Sequence, residues 1–263
     1  MRKWFVFLLV CLMSHPLTAE ENGRARAELI VSHASIKAGQ SIHAAIRMVY
    51  EKGWHGYWTN PGESGMRTEV EWQLPDGWTA SPMQFPAPKR FVTGELVSYG
   101  YEGEVLIPFV LTAPAALEGP QTIVGTVSWL ACNEKSCVAG EAAVQVELAT
   151  GKAVVGPQAA ALTSAIAKLP TADKTLQLHV TQAGDVITLT LTGAGHLDLQ
   201  EAEFFPVTEQ ALNPRDVLLW KKTATGYEAL AKKNEYAGKE LSQLSLVIVP
   251  KSPLRALFVE WKK

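Results

Sequence analysis

The sequence predicts an all-β chain: an antiparallel β-sandwich followed by a second, mainly β region that opens with one helix. Three observations carry this reading. Short runs rich in β-branched and aromatic residues recur along the chain, with polar and apolar positions alternating within them. Gly, Pro, Asn and Asp gather between the runs, as turns require. A single alanine-rich stretch has its apolar residues at helical spacing. The 263 residues are 47% hydrophobic and 19% charged, the balance of a chain that buries a core. That length suits one large domain or two ordinary ones.

Taken in order, residues 28–31 and 42–50 read as strands. Residues 69–74 alternate polar and apolar, and Pro75-Asp76-Gly77 follows as a turn. Residues 105–111 form a further strand, in which Pro108 predicts an edge or a bulge because it has no N–H to give a ladder. Residues 122–131 and 138–148 make a long hairpin. Many short strands with Gly/Pro turns fit a sandwich. Residues 149–156 read as a linker, and residues 157–169 as a helix with Pro157 in its first turn, where a missing N–H costs nothing. Beyond it, Leu176, Leu178 and Val180 alternate on one side of Ala183-Gly184-Asp185, and Ile187, Leu189 and Leu191 on the other, a second hairpin. Residues 244–249 and 257–261 are further strands. The expected division is a signal peptide at 1–19, a sandwich at 20–150 and a second mainly β domain at 151–263.

The amino terminus carries the signal-peptide reading. Arg2 and Lys3 precede an apolar run at residues 4–13, and Leu17-Thr18-Ala19 supplies a small residue for cleavage. Ten residues are too few for a bilayer span, which takes about 20. Val10 before Cys11 argues against a lipid-anchor signal. Cleavage would remove two of the 24 basic residues and none of the 26 acidic ones, leaving 22 against 26 and a net charge of −4. No basic field is then available for nucleic acid, and no later segment predicts stable membrane insertion. The expected location is the periplasm.

Export leaves two cysteines, Cys132 and Cys137, in an oxidising compartment, where a disulfide between them is expected. If Asn133 to Ser136 form a four-residue loop, Cys132 faces Cys137, Ala131 faces Val138, Trp129 faces Gly140 and Val127 faces Ala142. Alternation then puts Val127, Trp129, Ala131, Val138, Ala142, Val144 and Val146 on a core face. Ser128, Cys132, Cys137, Glu141, Gln145 and Glu147 fall on the opposite, solvent face. Both cysteines are therefore expected exposed. A ring this short stabilises little by chain entropy, whereas exposed disulfides are the more easily reduced ones. A structural clamp and a redox couple both remain open on these residues alone. Four intervening residues are not a Cys-X-X-Cys motif, and two thiols without a nearby His make no zinc site. Lys135 would favour a thiolate and Glu134 oppose it, unless both are simply solvated.

Around the hairpin stand Tyr57-Trp58-Thr59-Asn60-Pro61-Gly62-Glu63-Ser64-Gly65, Phe85-Pro86-Ala87-Pro88, Tyr99-Gly100-Tyr101-Glu102 and Trp129-Leu130-Ala131-Cys132 through Cys137. Taken together over about residues 25–150, these segments resemble the amino-terminal domain family of the bacterial disulfide reductase DsbD, including the related region of the copper-tolerance protein ScsB. The resemblance implies an immunoglobulin-like sandwich in which Cys132 and Cys137 form a redox couple. It implies electron relay between a membrane transporter and periplasmic thioredoxin-fold proteins, making the chain a protein thiol–disulfide oxidoreductase without a cofactor or metal. The family covers its pair with an aromatic loop, for which Phe91, ahead of the Tyr99 strand, is the candidate. Tyr99 and Glu63 are expected beside the site, Glu63 as a possible proton shuttle. Larger relatives fuse this region to a membrane domain and a thioredoxin domain. This chain carries neither, so its electrons are expected to come from a separate membrane protein.

On the residues themselves, Asn60-Pro61-Gly62 is a turn and Gly65 supplies backbone freedom. Tyr57, Trp58, Trp72 and Trp129 read as packing, and His55, within Gly53-Trp54-His55-Gly56, as structural. A non-catalytic binding module whose disulfide stiffens a loop is the alternative function. Met48, Met66 and Met83 leave a copper role open, although their spacing forms no recognisable site. Ser-His-Asp, phosphate-loop and HExxH signatures are missing, so hydrolase readings have no support.

Overall fold

The computed structural model describes residues 23–195, 197–251 and 255–263; the expected signal peptide lies outside them. Twelve strands build the first half: β1 (Ala25–Val31), β2 (His33–Ile36), β3 (Ser41–Tyr50), β4 (His55–Gly62), β5 (Glu69–Gln73), β6 (Thr79–Ala80), β7 (Lys89–Thr93), β8 (Leu96–Glu102), β9 (Glu104–Thr112), β10 (Gln121–Cys132), β11 (Cys137–Thr150) and β12 (Val154–Val155). One sheet runs β1-β3-β9-β6. The other runs β12-β2-β11-β10-β4-β8-β7, with β5 also paired to β10. Their inward positions share one core, in which Ile46, Met48, Ile107, Phe109, Ile123, Val127 and Trp129 are each at most 1% exposed. This is an all-β, immunoglobulin-like sandwich.

Pro108 sits in β9 opposite Ala45 of β3. Its carbonyl accepts from the Gln84 N–H, on the side away from β3. A strand residue directs its N–H and C=O to the same side, so the missing N–H takes nothing from the β3 ladder. The short β6 reaches only Thr112 and Leu111, which leaves β9 an edge at Pro108, as expected.

The β10–β11 hairpin keeps one register from Gln121↔Leu148 to Cys132↔Cys137, with Trp129 opposite Gly140. A Cβ on Gly140 would lie 2.4 Å from the Trp129 ring, so the indole needs a glycine across from it. The same indole donates its Nε1–H to the Gly23 carbonyl at 3.0 Å.

A single described helix, α1 (Ala159–Ala167), begins after Gln158 at its N-cap, so Pro157 precedes the first turn instead of lying within it. Its buried Leu162 packs with Ile30, Ala45 and Leu106 of the first sheet. The remaining strands are β13 (Thr171–Ala172), β14 (Gln177–Ala183), β15 (Val186–Thr192), β16 (Glu203–Pro206), β17 (Lys221–Lys222), β18 (Gly226–Lys232), β19 (Gln243–Val249) and β20 (Leu257–Lys262). They form sheets ordered β13-β20-β19-β16 and β14-β15-β18-β17. Leu189, Leu191, Tyr227, Leu244, Leu246 and Ile248 lie in their common core.

β16 ties this region to the sandwich. Phe205 is 1% exposed and meets Trp58 and Tyr99 edge-on, at 6.2 and 5.5 Å between centroids. The buried Asn60 donates through Nδ2 to the Pro206 carbonyl at 2.7 Å. Among the described residues, no helix is long and apolar enough to cross a membrane.

Candidate functional site

Cys132 and Cys137 form a disulfide with their Cα atoms 4.1 Å apart. The intervening loop is organised by Asn133, whose Oδ1 accepts from the N–H groups of Lys135 at 2.8 Å and Ser136 at 2.9 Å. The Asn133 N–H donates to the Ser136 carbonyl, closing the turn. Such an Asx arrangement is what a short polar side chain at a turn start favours. Glu134 and Lys135 are exposed.

The two sulfurs have unequal surroundings, which corrects the expectation that both are exposed. Cys137 is exposed, whereas Cys132 retains 3% of its surface. Strand order explains the difference. Among the described residues β11 has no ladder partner on its far side at Cys137, because β2 joins it only at Ala149 and Thr150. The same open edge leaves Val138, expected in the core, 36% exposed. β10, by contrast, is flanked on both sides: β5 pairs with residues 124–128, and β4 takes over at Cys132 through His55.

Register continues this line across the sheet. Cys137 pairs with Cys132, Cys132 with His55, and His55 with Glu102 of β8. Directly paired residues present their side chains on the same face, with Cβ atoms about 4.5–5.5 Å apart. Phe91 pairs with Ser98, four residues from Glu102 and hence on that face. Its ring stacks on the His55 ring, centroids 4.3 Å apart and planes 8° apart. Tyr57 meets His55 edge-on at 5.5 Å. His55 is 6% exposed. Its burial lowers the imidazole pKa below the ordinary 6.5, against a smaller upward pull from the Glu102 carboxylate. Lys89 Nζ donates to Glu102 Oε1 at 2.7 Å and holds that carboxyl below its usual range.

Of the residues expected beside the pair, Phe91 reaches it by way of His55. Tyr99 and Glu63 do not. Tyr99 lies three residues from Glu102, on the opposite face, 1% exposed, and donates its hydroxyl to the Pro214 carbonyl at 3.3 Å. Burial pushes its phenol up to about 12. Glu63 follows the end of β4 opposite to His55. Its Oε2 accepts from the Val97 N–H at 2.8 Å and its Oε1 from Arg215 Nε at 2.8 Å. Both serve the junction with the second half because β8 and the β4 end face β16 and the segment after it. His55, read from sequence as structural, is the residue brought to Cys132. Its only sequence signal was position, in a strand start flanked by aromatic residues. Gly65 has φ +110, and a Cβ there would lie 2.1 Å from the Tyr57 ring, so a glycine is needed. Met48 is in the core, Met66 is 45% exposed and Met83 packs partly buried at the core rim, so the three methionines stand apart.

The family model for thiol:disulfide interchange protein DsbD, N-terminal, matches residues 26–149. Among solved structures, the N-terminal periplasmic domain of ScsB from Proteus mirabilis is similar at 16% identity, with a TM-score of 0.71 over 94% of this chain and 96% of that one. At that identity the likeness shows the fold, and it extends over both halves. The YadV chaperone (9% identity, TM-score 0.24, 89% of this chain and 99% of that one) and the sporulation control protein Spo0M from Bacillus subtilis (10%, 0.24, 92% and 91%) are too distant to carry an argument. No curated protein matches. Residues 26–149 therefore form a domain of the DsbD amino-terminal family of thiol:disulfide interchange proteins.

Proposed function

We propose that this protein is a periplasmic thiol–disulfide exchange protein that relays electrons from a membrane transporter to thioredoxin-fold partners through Cys132 and Cys137. The observation that carries the reading is the unequal burial of the two sulfurs, 3% exposure at Cys132 against an open strand edge at Cys137. A clamp gains nothing from this asymmetry. An exchange site does, because a partner thiolate then has one sulfur to attack.

In the reducing direction a partner thiolate attacks Cys137 Sγ. The Sγ–Sγ bond breaks and its electron pair leaves on Cys132 Sγ. The partner's second thiolate then attacks the partner sulfur of the mixed disulfide. This releases Cys137 as a thiolate and the partner as a disulfide. The reverse sequence passes the electrons on, with Cys132 as the resolving thiol. Phe91, stacked on His55, is the lid over the buried sulfur. Tyr99 and Glu63 act at a distance, by fixing the second half against the sandwich.

Single-cysteine variants test this. Cys132→Ser leaves Cys137 without its resolving thiol and should accumulate a mixed disulfide with a thioredoxin-fold protein in periplasmic extracts. Cys137→Ser should trap little. If neither variant traps a partner, the relay reading fails and a binding module with a structural disulfide replaces it.

A further inference from the structure

The pairing of Cys132 with His55, and of His55 with Glu102, places an imidazole between a buried sulfur and a carboxylate in one row. We infer that His55 is the acid–base group of the exchange, carrying the proton to and from Cys132 Sγ while Glu102 supports the charged imidazolium. This rests on the reading of Cys132 as the buried partner of a redox pair and assigns that pair its proton path.

The need arises from burial. Cys137, at the open edge, exchanges protons with water. Cys132, 3% exposed, cannot do so freely, and a thiolate left there uncompensated is costly. When the Sγ–Sγ bond breaks, Cys132 Sγ is no longer tied to β11, and its cross-strand neighbour on the other side is His55. The Phe91 stack fixes the plane of the ring. The charged and titratable groups facing His55 are Cys132 from β10, Glu102 from β8 with Lys89 of β7 bound to it, and Tyr57 on its own strand, a neutral phenol raised further by burial. A thiol, an imidazole and an orienting carboxylate in succession is the arrangement by which a weak nucleophile is activated.

The step balances in both directions. During oxidation of the dithiol, Cys137 holds the mixed disulfide. His55 takes the Cys132 thiol proton as Cys132 Sγ attacks Cys137 Sγ, the new Sγ–Sγ bond forms, and the partner leaves as a thiolate that is protonated by solvent. During reduction, the departing Cys132 thiolate receives its proton from His55, which is reprotonated from solvent past Glu102.

The test uses oxidised glutathione as the oxidant. The reduced protein forms a Cys137–glutathione mixed disulfide, and the unimolecular step in which Cys132 displaces glutathione is followed by acid quench and mass spectrometry between about pH 4.5 and 9. In the wild type this rate should show an inflection below the ordinary imidazole value. His55→Phe keeps a planar ring for the Phe91 stack but carries no proton. It should slow the step about 10²-fold at pH 7, the low end for acid–base catalysis, and lose the inflection, leaving only that of the thiol. Glu102→Gln should move the inflection to lower pH. Equal profiles in wild type and His55→Phe would overturn the assignment. Should His55→Phe fail to fold, a wild-type profile with the thiol inflection alone, unmoved by Glu102→Gln, would overturn it equally. If no mixed disulfide forms at Cys137 at all, the exchange reading itself is wrong and this assignment falls with it.

Discussion

The ring of Phe91 lies flat on that of His55, 4.3 Å between centroids, and His55 is the cross-strand partner of Cys132. Phe91 and the buried sulfur are therefore linked through one imidazole, with no need for the aromatic ring to touch the disulfide itself.

Phe91→Ala removes the stack and opens Cys132. Reduction of the disulfide by dithiothreitol should become several-fold faster in stopped-flow measurements. Aromatic pairs contribute about 0.5–1.5 kcal/mol beyond their buried area, so the loss of stability in urea should be about 1 kcal/mol plus the lost burial. An unchanged rate would show that Phe91 does not gate the pair.

The burial of His55 also sets a pH dependence of stability. Its folded-state pKa lies below the unfolded value of about 6.5, so the unfolded chain binds the extra proton first. Its contribution is fully present above about pH 6.5 and is lost as pH falls through the depressed folded value. Between pH 7.5 and 5 the urea midpoint of the wild type should fall more than that of His55→Phe. Parallel midpoints in the two proteins would contradict the burial.

The hairpin and its register were legible in the sequence because a four-residue loop between two cysteines fixes the pairing and strict alternation propagates it. The burial of Cys132 was not, since it depends on β4, whose His55 stands 77 residues earlier in the chain, arriving beside the last residue of β10. His55 had no periodic pattern to mark it, and only the sheet order brings it to the sulfur. Tyr99 and Glu63 stand within segments that identify the family, but their contacts are with Pro214, Val97 and Arg215. β18 escaped because its inward residues, Tyr227, Ala229 and Ala231, are mostly small while Leu230 on the outer face is 63% exposed, which blurs the alternation.

Asn60 tests the junction. It is 4% exposed, and its Nδ2 is bonded to the Pro206 carbonyl. Asn60→Ala leaves that acceptor unpaired and should cost about 1–3 kcal/mol in urea denaturation. Amide exchange should quicken around β16 while the reduction potential of the cysteine pair stays as in the wild type. A shifted potential would mean that the second half acts on the site directly.

Whether Cys132 and Cys137 exchange electrons or clamp a loop is tested most directly by the reduction potential of the pair in the purified protein, equilibrated against glutathione or dithiothreitol. An exchanging pair should give a value between about −180 and −270 mV, the range of exchange proteins. A value well below about −300 mV would make the pair a structural disulfide and contradict the relay.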